Sequence, residues 1–237
     1  MSDSAASFRE RSERSPRANG FVLPQWGLEL LRPVVKYLTR ALWNVTFTGV
    51  ENIPVKDGLI IASNHQSYID PFIISLPIRR PVRYLAWNEA FGWPVVGKAM
   101  GALGAWPLQL ERSDPAAIRR SLQWLREGGA VMIFPEGGRG KPDGSMARFK
   151  AGAVRIALEA KVPILPITIR GANEVWPAGK HVPKLGKIEV VYHPLFYPEP
   201  KPEEDSRECA RREIQELAGI IQSALHEPNS NSVRVTS

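Results

Sequence analysis

Short apolar runs separated by turn residues recur along most of this chain. Val45–Gly49, Leu59–Ala62, Val82–Trp87, Trp106–Leu110, Ala130–Phe134, Pro163–Ile169 and Ile188–His193 are brief and apolar, and several are rich in β-branched residues. Such runs predict strands. Helical periodicity lies between them. Ala116–Arg126 groups Ile118, Leu122 and Leu125 on one face and is stopped by Gly128-Gly129, a helix-ending signal. Ala151–Ala160 brings Ala153, Val154, Ala157 and Leu158 together. Ala210, Ile214, Leu217, Ile221 and Leu225 recur at spacings of 4, 3, 4 and 4, the pattern of a long helix covering a sheet. Asp70-Pro71 predicts a helix start, with Asp70 as N-cap and Pro71 in the first position. The alternation predicts an α/β fold: one layered domain with a central mixed β-sheet of about seven strands flanked by helices.

The N-terminal part reads differently. Residues 1–20 are rich in Ser, Arg and Glu with little to bury, so they are expected to form a disordered tail. Across 21–44, charges at Glu29, Arg32, Lys36 and Arg40 lie on one side and Leu31, Val34, Val35, Leu38 and Leu42 on another. That is the pattern of amphipathic helices. Pro33 is expected to kink or divide them. Their apolar face would meet either a membrane, with Trp26, Tyr37 and Trp43 at headgroup depth, or the domain's own core. The folded domain is expected over 45–227, with a second loose end at 228–237.

Composition narrows the compartment and the partners. The chain has 237 residues, 31 Lys plus Arg against 24 Asp plus Glu, and a net charge of +7. A surplus of this sign favours anionic lipid surfaces, nucleic acid or phosphorylated substrates. The basic residues are dispersed and no nucleic-acid recognition motif is visible, so nucleic acid is not an expected partner. A single cysteine, Cys209, excludes an intramolecular disulfide and a cysteine-based metal site. His181, His193 and His226 lack the partner spacing of metal ligands, so no metal site is expected. The first twenty residues have no apolar signal core, and no run reaches ~18 uncharged apolar residues. The expected location is the cytoplasmic face of a membrane, peripheral or monotopic.

Two constellations carry chemistry. Asn64-His65-Gln66-Ser67-Tyr68-Ile69-Asp70 follows the run Leu59–Ala62, at a strand end where open α/β sheets usually place ligands. A turn into a helix would bring the Asp70 carboxylate onto one nitrogen of His65, fix its tautomer and leave the other nitrogen as a base. No serine or cysteine nucleophile with its own motif is evident, so the base would activate a substrate hydroxyl. By itself the pair also fits a turn histidine bonded to a helix cap. Phe134-Pro135-Glu136-Gly137-Gly138-Arg139-Gly140 follows the run Ala130–Phe134. Its glycines let the backbone approach an anion, Arg139 suits a phosphate, and Glu136 would hold that arginine or bond a substrate hydroxyl. Alone it also fits a tight turn with a surface ion pair.

Together, Asn-His-x4-Asp after one strand and Phe-Pro-Glu-Gly-x-Arg about seventy residues later resemble the lysophospholipid acyltransferase family, the 1-acylglycerol-3-phosphate O-acyltransferases and their relatives. Phe47–Pro54, Gly104–Arg112, Phe149-Lys150-Ala151-Gly152-Ala153 and Val162–Ile167 agree with further family segments, and the match spans about 45–195. The resemblance implies an acyltransferase domain in which His65, oriented by Asp70, deprotonates an acceptor hydroxyl that attacks the thioester of acyl-CoA or acyl carrier protein. It implies Asn64, Arg112, Glu136, Gly137, Gly138, Arg139 and Lys150 as substrate-binding residues and a lysophospholipid as acceptor. It implies no covalent acyl-enzyme, and no cofactor beyond the donor thioester. The family usually carries Thr where this chain has Gly138, which keeps another amphiphilic acceptor open. A thioesterase-like hydrolase using the same pair is a second class, and a non-catalytic membrane-binding module a third. The apolar stretch Tyr84–Trp106 would line an acyl channel, touch the membrane or be ordinary core.

Overall fold

A computed structural model describes residues 25–87, 96–108, 114–141, 143–177 and 182–225. Helix α1 (Gln25–Trp43) comes first, followed by strand β1 (Thr46–Thr48) and a short 3-10 turn. Strand β2 (Leu59–Ser63) then leads to helix α2 (Asp70–Ser75) and strand β3 (Val82–Trp87). Helix α3 (Val96–Ala102), strand β4 (Ala105–Leu108), helix α4 (Pro115–Arg126) and strand β5 (Ala130–Ile133) follow. The second half holds helix α5 (Gly152–Ala160), strand β6 (Ile164–Arg170), the four-residue helix α6 (Ala172–Val175), strand β7 (Glu189–Tyr192) and helix α7 (Ser206–Ser223).

The seven expected strands form one sheet in the order β1-β7-β6-β2-β5-β3-β4. Every neighbouring pair is parallel except β6 with β7, so the sheet is mixed, as the sequence implied. Strand β2 lies near the centre, flanked by β5 and β6, and all five of its residues are buried. A strand covered on both faces needs a continuous apolar run rather than alternation, which is why Leu59–Ser63 reads as it does. Leu59 and Ile61 belong to one core layer with Ile73, Ile74 and Tyr192. Ile60 and Ala62 belong to the opposite layer with Leu122, Val154, Ile214 and Leu217. Helix α2 therefore covers one face, and α4, α5 and α7 cover the other. Pro107 stands in β4, at the edge of the sheet, where a missing N–H costs no central ladder bond.

Helix α1 runs unbroken through Pro33, so the expected division into two helices does not occur. It is pinned to the α2 side of the sheet. The Arg32 guanidinium donates to the carbonyls of Leu76 (2.7 Å) and Ile78 (2.9 Å), and Trp43 Nε1 donates to the carbonyl of Lys184 (3.1 Å). Trp43 also packs against the core layer that contains Ile73 and Ile74. Much of the helix beyond these anchors is open, with Thr39 buried. Leu30, Leu31, Val34, Tyr37, Leu38 and Leu42 are exposed, Leu30 and Tyr37 at 70% or more. Helices α3 and α6 have no counterpart in the sequence expectations. Arg112, residues 1–20 and residues 228–237 lie outside the described residues.

At the opposite end of the sheet from the carboxyl end of β2, Arg80 is buried and donates to the carbonyls of Pro54, Lys56, Asp57 and Gly128. It thus ties together the turns that feed β2 and β5. Burial lowers its pKa, partly offset by Asp57. Arg80→Met should destabilise the fold by about 2–4 kcal/mol, since four carbonyls lose a shared, buried donor. Urea unfolding with an unchanged slope would measure this. Activity of the folded variant should be retained, because the carboxyl end of β2 lies a strand length of roughly 16 Å away.

Candidate active site

Strands β2 and β5 are paired neighbours, and the segments leaving their carboxyl ends meet. After Ser63 the chain places Asn64 beside β6. The Asn64 Nδ2 donates to the Ile169 carbonyl and its Oδ1 accepts from the Ile169 N–H, both at 2.8 Å. The amide thus imitates a strand peptide and extends the β2–β6 ladder by one rung. Asn64 was expected among the substrate-binding residues. Its side chain is buried and bonds Ile169 through both its nitrogen and its oxygen, which fixes the exit of β2.

The next residue is His65. Its Nδ1 lies 2.9 Å from Asp70 Oδ2. The same oxygen accepts the Gln66 N–H at 2.6 Å and the Ser67 N–H at 2.7 Å. Asp70 is fully buried. It was expected as an N-cap, but α2 begins at Asp70 itself, after Ile69, and no side chain caps it. The carboxylate turns back into the preceding turn, where two amides and an imidazole converge on it. Ring Nε2 of His65 has no hydrogen-bond partner among the described residues, and the side chain is 17% open. The Phe134 ring stacks on the imidazole, centroids 4.1 Å apart and planes at 22°. Packing and the Asp70 bond together hold the ring in one orientation.

The backbone of His65 is gripped from both sides by the second constellation. Its N–H donates to Glu136 Oε1 at 2.8 Å, and its carbonyl accepts the Gly140 N–H at 2.6 Å. Glu136 Oε2 accepts the Ala147 N–H at 2.6 Å. Glu136 therefore clasps two backbone segments, whereas the sequence reading gave it to Arg139 or to substrate. Burial pushes its carboxyl pKa up, while the two amide bonds and His65 pull it down. The amides of Gly137 and Gly140 are also engaged within the protein, Gly137 donating to the Phe134 carbonyl at 3.0 Å.

What this leaves open for a ligand is a basic corner. Arg139 lies over the Tyr68 ring, its guanidinium carbon 3.9 Å from the centroid, a favourable cation–π geometry. Its buried Nη1 has no partner among the described residues. Gly137 adopts a positive φ of 71°, and a Cβ there would stand 2.6 Å from Lys150 Nζ. Glycine is thus required for the turn and for the approach of Lys150. Gly138 is different, since a Cβ there meets nothing within 4 Å. Tyr68, Phe134, Gly140 and Ala147 complete the site; Tyr68 and Phe134 stood within the two motifs without a role, Gly140 was counted only among the glycines near an anion, and Ala147 was not singled out. A backbone N–H leaves no trace in side-chain chemistry, and the local cue for Phe134 was only its place before Pro135-Glu136.

An imidazole aimed by a buried carboxylate stands beside the Arg139 guanidinium at the carboxyl edge of a mostly parallel sheet, an arrangement suited to a general base. A protein-family model described as Acyltransferase matches residues 44–170, and the chain belongs to the acyltransferase family. It is 34% identical over 155 residues to a chloroplastic 1-acyl-sn-glycerol-3-phosphate acyltransferase of Brassica napus, covering 63% of this chain and 44% of that one. The chain thus spans less than half the length of that relative. It is 33% identical to the 1-acyl-sn-glycerol-3-phosphate acyltransferase of Borreliella burgdorferi, covering 78% of this chain and 73% of that protein. The crystal structure of the 1-acyl-sn-glycerophosphate (LPA) acyltransferase PlsC from Thermotoga maritima superposes with a TM-score of 0.67 at 23% identity, covering 96% of this chain and 89% of that one. It shares the fold.

Glu136→Gln offers an NH2 group where one of two amides needs an acceptor, so thermal unfolding should show a loss of about 1–3 kcal/mol. The raised carboxyl pKa sets the pH sign. The folded protein keeps the Glu136 proton above pH 4.5, where the unfolded chain has begun to release it, so this group lowers stability as pH rises through that window. The gap between wild type and Glu136→Gln should therefore be wider at pH 4.5 than at pH 7, as read by urea titrations at both values.

Proposed function

We propose that the chain transfers a fatty acyl group from a thioester to the free hydroxyl of lysophosphatidic acid, giving phosphatidic acid. The observation that carries this reading is the bond from His65 Nδ1 to the buried Asp70 carboxylate, which leaves Nε2 unengaged. Nε2 takes the proton of the acceptor hydroxyl as its oxygen attacks the thioester carbonyl. The tetrahedral intermediate collapses, the C–S bond breaks, and the departing thiolate takes the proton from the imidazolium. Asp70 stabilises that imidazolium, as the acid of a hydrolase triad does. Arg139 and Lys150 hold the acceptor phosphate, the Arg139 guanidinium being placed over the Tyr68 ring. Transfer is direct and needs no cofactor beyond the donor thioester. Two relatives named as 1-acyl-sn-glycerol-3-phosphate acyltransferases support the choice of acceptor. The open space at Gly138 supports a second reading, a bulkier amphiphilic headgroup in place of a bare phosphate.

With labelled acyl-CoA and lysophosphatidic acid, the wild type should yield phosphatidic acid and free CoA. His65→Ala should form it at least ~10²-fold more slowly. Free fatty acid without phospholipid would mean hydrolysis, and product formed only from another acceptor would favour the second reading. Arg139→Ala should chiefly raise the acceptor KM, and an unchanged KM would remove Arg139 from the phosphate site.

The same reading puts the protein on the cytoplasmic face of a membrane through α1. Among the described residues no helix is long and apolar enough to cross a membrane. The exposed apolar side chains of α1, with Lys36 and Arg40 among them, suit a helix lying in an anionic interface. Leu31→Glu with Leu38→Glu should cut co-sedimentation with anionic liposomes several-fold while circular dichroism stays unchanged. Equal binding by variant and wild type would discard this role for α1.

A further inference from the structure

A second concavity, of about 550 Å³, lies between the segment 141–151, α5 and α7. Its volume is within the range of small-molecule sites. Four cations stand around it, Lys141, Arg148, Arg155 and Arg211, all exposed, and no acidic residue lines it. Among the described residues none of the four is in a salt bridge, although Arg212, next to Arg211, is engaged by Glu204 and Glu213. Asp143 and Asp205 feel the charges of Lys141 and Arg211 without pairing with them. The floor is apolar, with Met146, Ile214 and Leu225. Ala151 also lines the cleft, and it precedes α5 with no side chain capping that helix, so the helix start adds positive potential. An unpaired cluster of four cations over an apolar floor suits a small polyanion with an organic body.

Two placements say which one. The cleft wall includes Ala147, whose N–H is held by Glu136, and Glu136 in turn holds the His65 N–H. One carboxylate therefore separates the cleft wall from the base. The cleft also lies against α5 and α7, the layer on the opposite face from α2 and Trp43 of α1. A lipid acceptor arriving at α1 would leave this face to water. We propose that the cleft binds the nucleotide phosphates of the acyl donor, so that the donor is a coenzyme A thioester and its arm reaches His65 past the segment held by Glu136. This rests on the acyl-transfer reading. A concave site of this size fits a nucleotide better than the broad surface of an acidic carrier protein.

The test uses Arg155→Glu with Arg211→Glu, two exposed residues distant from the core. Adenosine 3′,5′-bisphosphate binding, measured by calorimetry, probes the cleft without turnover, and steady-state kinetics with acyl-CoA and acyl carrier protein probe it in use. Binding to the wild type should weaken about tenfold or more in the variant, as expected for lost charge-assisted bonds to phosphate. The KM for acyl-CoA should rise by a similar factor, with the acceptor KM unchanged. Acyl-3′-dephospho-CoA should be a poorer donor for wild type only. Nucleotide binding abolished by the variant in a protein that transfers no acyl group would support the cleft and sink the acyl-transfer reading. Normal transfer with donor KM and nucleotide binding untouched by the variant, or transfer from the carrier protein alone, would overturn the cleft proposal and spare that reading.

Discussion

One oxygen of a fully buried carboxylate organises the turn at the carboxyl end of β2. Asp70 Oδ2 takes the His65 ring and the N–H groups of Gln66 and Ser67 together. Burying a carboxylate is costly unless donors satisfy it, so the turn between β2 and α2 has little freedom once Asp70 is inside. The three donors come from three consecutive residues, and the sharp turn that gathers them also sets the direction of the imidazole. The other side of His65 is constrained by Glu136, and these two acids fix ring and backbone separately.

The sheet makes that convergence possible. β2 and β5 run parallel and side by side, so their carboxyl ends open at the same edge and their following loops meet without long connections. β6 on the other flank of β2 supplies Ile169, to which Asn64 locks the chain before it turns. His65 thus leaves a strand that is fixed on both sides.

Much of this was legible in the residues. The strands near the centre are continuous apolar runs because both faces are covered, and those runs could be read directly. The His65 and Asp70 pairing followed from a spacing of five bridged by a turn. What the sequence misjudged were the partners of Asn64 and Glu136, which lie 105 and 71 residues away. Both are backbone groups, which carry no residue-specific signal. Only the N-cap role of Asp70 failed, and for the opposite reason. A helix-start pattern is strong locally, and it was overridden by an imidazole that competes for the same carboxylate. Pro33 was expected to kink or divide α1, and it does not divide it. The lost backbone bond is tolerated in a helix held at Arg32 and Trp43 by other parts of the fold.

The grip of Arg32 on the residues just after α2 has a mechanical meaning. It reaches the carbonyls of Leu76 and Ile78, and the short helix before them begins with Asp70. A force that tilts α1 is handed through one guanidinium to the end of that helix, and close-packed interiors transmit such strain rather than absorb it. A tilt of the long helix would thus load the short one at the end opposite Asp70.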